Sequence, residues 1–135
     1  MLASCNSAKV DAVSTDAIFG KWKFKSTGDG IISPFDVSME IKTDKDANGF
    51  YTVSGHSSVN FYFAGMTFNA SKKTIKFSNI GSTQISGSVA ANTFESDFFA
   101  YLAKVESYEM KDSNTLQLNM PSDAKAKFLL FERVP

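Results

Sequence analysis

A chain of 135 residues makes one domain, long enough for a single hydrophobic core without covalent staples. Apolar residues make up 43% and charged residues 21%, and the 14 basic and 14 acidic side chains cancel, which describes an ordinary folded protein with no basic stripe for nucleic acid. No apolar run is long enough to cross a bilayer as a helix, and the single cysteine excludes an internal disulfide or a cysteine-type zinc site.

That cysteine sits in Leu2-Ala3-Ser4-Cys5, an aliphatic residue and two small ones before the thiol. The pattern is similar to the lipobox that ends a bacterial lipoprotein signal, where cleavage precedes the cysteine and the new terminus carries lipid. The charged start and apolar stretch of a full signal are missing, so the match is expected to be the end of a trimmed export signal behind a new Met1. Residues 6–16 are small and polar without sustained periodicity, as in a flexible tether. Residues 1–16 are therefore read as signal end and tether, with Cys5 as the lipid attachment site, and residues 17–135 as the domain. Acyl chains on Cys5 would hold that domain on a membrane surface.

Order is expected from Ile18. Aromatic and lysine residues alternate from Lys21 to Lys25, giving a strand with one dry face on which Trp22 is a core anchor. Gly28-Asp29-Gly30 is a turn without the rest of a phosphate loop. A second half-buried strand covers residues 35–42. Next, Asp44, Asp46, Asn48 and Gly49 reproduce the first half of a calcium loop, but the twelfth position, which needs a bidentate acid, is Gly55. The flanks read as strands, so a turn is expected there and no metal is assigned.

Residues 50–65 organise the chain. Apolar residues fall at every second position, Tyr51 and Val53 before a polar break at residues 55–58, then Val59, Phe61 and Phe63 after it. This is the period of a hairpin with one buried face, and it predicts that Phe61 and Phe63 point inward with Trp22 and Phe98. His56 is the only histidine and adjoins Ser57, yet no acid in the loop orients it, so a surface turn residue is expected rather than a catalytic base. Residues 66–68 and 74–77 form a further antiparallel pair, and residues 80–86 a more polar strand.

The period then changes to 3.6. Asn92 suits an N-cap and Glu95 the third helical position, while Phe94, Phe98, Tyr101, Leu102 and Val105 share a face, which predicts one α-helix over residues 93–104. Glu95 and Asp97 would then complement the helix dipole from different faces rather than act as paired catalytic acids. Strands resume at residues 106–110, 116–120 and 127–133. The fold class is mainly β (α+β), an antiparallel barrel-like sheet of about eight short strands with one helix packed on it.

In that order, several pieces match a family. They include Gly20-Lys21-Trp22, Gly55 with Asn60-Phe61-Tyr62 and Gly65, Ile80 to Thr83, Phe94-Glu95 with Phe98 and Leu102, Val105 to Tyr108, Leu116 with Leu118, and Leu130-Phe131 with Arg133. Over residues 18–133 the chain resembles the META domain, the family of the heat-shock protein HslJ. The resemblance implies a compact, mostly antiparallel barrel with a packed helix, frequent export or lipid anchoring, and no established enzyme activity, in a family associated with stress response, motility or virulence. Many members carry cysteine where Val59 stands and again after Thr83. This chain has neither, so any bond or redox role of that pair is absent.

The expected function is accordingly non-enzymatic and without cofactor. It is that of a monomeric, lipid-anchored accessory domain on the outer membrane or periplasmic face of a bacterial envelope, acting on an unknown protein partner and not on nucleic acid. The alternative is a barrel that carries a small apolar ligand, for which the thirteen phenylalanines predict too full an interior. A hydrolase built on His56 is the weakest reading.

Overall fold

In the computed structural model, which describes residues 17–33 and 35–135, β1 (Gly20–Thr27) sends Trp22 and Phe24 inward and Lys21, Lys23 and Lys25 to water, as the alternation predicts. A bulge between Phe24 and Ser26, against β8 (Phe128–Arg133), then resets the alternation and turns Thr27 inward. Between these two strands run β2 (Ser38–Lys45), β3 (Tyr51–His56), β4 (Phe61–Asn69), β5 (Thr74–Ser82), α1 (Val89–Lys104), β6 (Ser107–Asp112) and β7 (Thr115–Asn119). Each strand pairs antiparallel with the next, and β8 returns to β1, so the eight strands close into a barrel. Its wall is thin at one place. β5 and β6 pair only at Thr74 and Ser107, flanked by backbone bonds from Ile75 to Glu106 and from Tyr108 to Lys73.

The helix covers the opening that results. Ala91, Glu95, Phe98 and Leu102, spaced four, three and four apart, form its buried stripe. Phe98 meets the rings of Phe24 on β1, Tyr62 on β4 and Phe131 on β8, so it projects into the lumen. With Trp22 and Tyr108, these buried aromatics, none more than 7% exposed, fill the interior with side chains. The other end is closed by Phe19, Tyr51 and Phe68, whose rings stand 5.1–5.8 Å apart.

Several expectations are corrected. Phe61 and Phe63 are 65% and 56% exposed, whereas Tyr62, Ala64 and Met66 face the core. Val59 belongs to the loop, not the strand: His56 pairs with Phe61 across it, so Val53 lies opposite Ala64 and Gly55 opposite Tyr62. Because side chains alternate, that register puts the even-numbered residues of β4 inside. Gly55 permits this, since a Cβ there would stand 2.1 Å from the Ser38 carbonyl oxygen and 2.8 Å from the Tyr62 ring. The Tyr62 hydroxyl then donates to that same carbonyl at 2.8 Å.

The helix begins four residues earlier than its apolar spacing predicts. Ser88, not Asn92, is the N-cap, and its hydroxyl accepts from the Ala91 amide at 3.1 Å. Asn92 reaches back instead, accepting from the Gly87 amide at 3.0 Å. Glu95 and Asp97 therefore lie beyond the first turn and have no capping role. Similarly, residues 66–68 belong to the single long strand β4, residues 80–82 complete β5, and β2 begins at Ser38 with Val37 bridged to Ser57.

Candidate functional site

Glu95 and Asp97 lead to different places. Glu95 turns under the β3–β4 loop, where its Oε2 accepts from Ser57 Oγ at 2.7 Å, the Asn60 amide at 2.8 Å and the Val59 amide at 3.2 Å. Its Oε1 accepts from Asn60 Nδ2 at 2.7 Å. Asn60 is satisfied on every side: Nδ2 also donates to the Ile85 carbonyl, and Oδ1 accepts from Thr83 Oγ1 and the Ile85 amide, both at 2.7 Å. Burial by itself would raise the Glu95 carboxyl, but the bonds from Asn60, Ser57 and the loop backbone outweigh it and hold the group below its ordinary value. The network fixes the loop firmly enough to keep Ser58 at φ 91°, with its hydroxyl bonded to the Ala91 carbonyl at 2.9 Å. One carboxylate thus ties together the loop, the helix and the segment after β5. This is a structural knot.

Ser57 is committed to that knot, while His56 faces elsewhere. The His56 Nδ1 lies 2.7 Å from the Asp36 carbonyl oxygen and 3.9 Å from the Asp36 carboxylate, and its ring stands edge-on to Phe61 at 5.1 Å. The group that holds the ring is thus a backbone carbonyl twenty residues away. In the calcium-like stretch, Asp46 Oδ1 accepts from the amides of Asn48 and Phe50, and Gly49 adopts φ 86°, which makes a hydrogen-bonded strand connection. No group of three or more potential metal-ligating side chains occurs among the described residues. Cys5 lies outside the described residues.

On the other flank of α1, Asp97 borders a cleft of about 230 Å³. Phe24, Phe94, Phe98 and Leu129 make its apolar walls, and Asp29, Asp97, Tyr101 and Lys125 stand among its polar groups. Phe94 and Phe98 stack with their planes 11° apart, and both meet Phe24 edge-on. Asp29 is oriented by Thr27, whose hydroxyl donates to it and accepts from the Ile31 amide at 3.0 Å. The Tyr101 phenol is pushed up from its ordinary value by burial first, then by the charges of Asp97 and Asp29. An apolar recess with a few converging polar groups is the usual form of a small-molecule site, and this cleft is the candidate site.

Sequence reasoning did not assemble these residues, which come from β1, the β1–β2 loop, α1, the β7–β8 loop and β8. It also missed the Glu95 knot, for which a signal existed: the spacing of Ala91, Glu95, Phe98 and Leu102 puts the acid on the buried stripe.

The family model of the META domain matches residues 16–134. The chain belongs to the META domain family. No curated protein matches the chain. Solved structures with the same fold include an NMR structure of a protein from Burkholderia xenovorans, with a TM-score of 0.66, 16% identity, and 92% of this chain and 88% of that one covered. A second is the crystal structure of a DUF4847 family protein from Bacteroides vulgatus, with a TM-score of 0.63, 16% identity and 89% and 97% coverage. At these identities the likeness is one of fold. In this META domain Gly87 lies against Val59, since a Cβ on Gly87 would stand 2.7 Å from a Val59 methyl group. Here the contact is an apolar one.

Proposed function

We propose that this META domain is a non-enzymatic, monomeric module of the bacterial cell envelope, tethered by lipid at Cys5, that serves stress response or envelope function by binding a protein partner. The observation that supports binding is the outer face of β4, where Phe61 and Phe63 stand in water. Neither ring is loose: Phe61 packs on His56, and Phe63 lies over Gly81, where a Cβ would come within 2.6 Å of the ring. Rigid aromatic side chains with polar neighbours such as Ser54, opposite Phe63, and Thr83, bonded to the Phe61 backbone, have the composition of an interface centre. The lipobox-like Leu2-Ala3-Ser4-Cys5 and the polar residues 6–16 support the tether.

Two measurements test the reading. Expressed with an export signal, the native chain is expected in the membrane fraction and Cys5→Ala in the soluble fraction; a Cys5→Ala chain that stays with the membrane removes the anchor. Crosslinking in the intact envelope is expected to join the native chain to a protein that Phe61→Ser and Phe63→Ser no longer reach. Unchanged crosslinking would remove β4 as the binding face. The carrier reading does not find its cavity in the lumen, which Trp22, Tyr62, Phe98, Tyr108 and Phe131 occupy.

A further inference from the structure

The cleft between α1 and the β1–β2 loop has a chemistry of its own, independent of the proposed envelope role. At about 230 Å³ it falls below the roughly 300 Å³ at which pockets for drug-sized ligands begin, so it suits one ring with a short arm. Phe94, only partly buried, offers its ring at the wall, and the buried Phe24, Phe98 and Leu129 make an apolar floor. Two carboxylates, Asp29 and Asp97, face one base, Lys125, and they approach from separate elements. Among the described residues the ion pairs are Lys25–Glu132, His56–Asp36 and Lys111–Glu109, so neither carboxylate is neutralised by a neighbour within 4 Å.

We propose that the cleft lined by Phe94, Phe98, Asp29 and Asp97 binds a small organic cation, an ammonium group carried on an aromatic or short apolar body. The Phe94 ring attracts the cation through its quadrupole. The carboxylates, both exposed, supply its counter-charge, an attraction that salt partly screens. Two acids against one base favour a cation over an anion, and aromatic walls favour an organic ion over a hydrated metal. Tyr101, beside Asp97 on the helix and facing Asp29 across the cleft, is pushed up by burial first and by both carboxylates after it.

The test uses the full chain and three probes of one shape and different charge, 2-phenylethylammonium, 2-phenylethanol and phenylacetate, followed by amide chemical shifts at neutral pH. Saturable shifts confined to residues around Phe94, Asp97 and Tyr101 are expected with the ammonium. The alcohol and the carboxylate should bind at least about fivefold more weakly, the size of one partly screened charge contact. Asp97→Asn should cut ammonium binding by about the same factor, with the rest of the spectrum unchanged. Lys125→Met should strengthen it. Equal binding of the three probes, preference for phenylacetate, absence of saturable shifts with the ammonium, or an Asp97→Asn chain that binds as well as the native one would each overturn the assignment. Phe94→Ala serves as a second variant, since Phe94 is only partly buried and its loss leaves the lumen core in place.

Discussion

The two flanks of α1 carry acids two residues apart with opposite surroundings. On the side of the β3–β4 loop, Glu95 meets four donors and is 8% exposed. On the cleft side, Asp97 is exposed beside aromatic rings. A helix that had to be held on a barrel by packing alone could slide along its apolar stripe, because hydrophobic contact is not directional. The knot removes that freedom: Glu95 accepts only in one position, so α1 has one register against the sheet. The cleft flank can then remain open, since nothing there is needed to locate the helix. A buried, fully bonded charge specifies position, and an exposed one without an ion-pair partner is available to a ligand.

The sharpest way to break the contrast is Glu95→Ala. It leaves the amides of Val59 and Asn60 without an acceptor and removes one bond each from the Asn60 side chain and the Ser57 hydroxyl, and should lower the unfolding free energy by about 2–4 kcal/mol in a denaturant titration. A loss below about 0.5 kcal/mol, the range of ordinary surface changes, would mean that the knot is ornamental. Asn60→Ala should cost about 1–3 kcal/mol. Combined with Glu95→Ala it should cost at least 1 kcal/mol less than the two losses added, since both changes remove one network. Additive losses would show two separate contacts.

Acid titration sharpens the contrast further. The folded Glu95 carboxyl lies below its unfolded value of about 4.3, so its contribution to stability is complete above that pH and is lost as the pH falls through the lower, folded value. Glu95→Gln should remove that part of the acid-dependent loss, and a profile identical to the native one would exclude Glu95 as its source. The smallest effect is expected on the other flank. Asp97→Asn should change stability by less than about 0.5 kcal/mol, as a surface substitution does. A larger loss would mean that Asp97 too has a structural task.

Much of the barrel was legible in the residues themselves. Trp22, Met39, Ile41, Leu116, Leu118 and Phe131 declare their faces by strict alternation, and Phe98 and Leu102 declare theirs by helical spacing. Parity failed at β4 because it was counted from Val59 through a loop whose length the sequence did not announce. A one-residue difference in where the strand starts exchanges Phe61 for Tyr62 inside. The opposing Gly55 carried the information, as the one place on β3 where a large ring fits. The helix start failed because the apolar stripe begins at the small residue Ala91, and because Ser88 and Asn92 are both good caps. The knot and the cleft were illegible for a different reason. Glu95 meets residues 35 to 38 positions away, and the cleft joins segments from Phe24 to Leu129. Such meetings are made by topology rather than by any local pattern.

Arg133 has a consequence for how the molecule is presented. Its guanidinium lies 4.3 Å from the centre of the Trp22 ring and donates to the carbonyls of Ala17, Phe19 and Ser113, pinning both ends of the domain at the start of β1. The cleft opens beside Thr27, at the finish of that strand. The entry of the chain at Ala17 and the mouth of the cleft therefore lie at the two ends of β1.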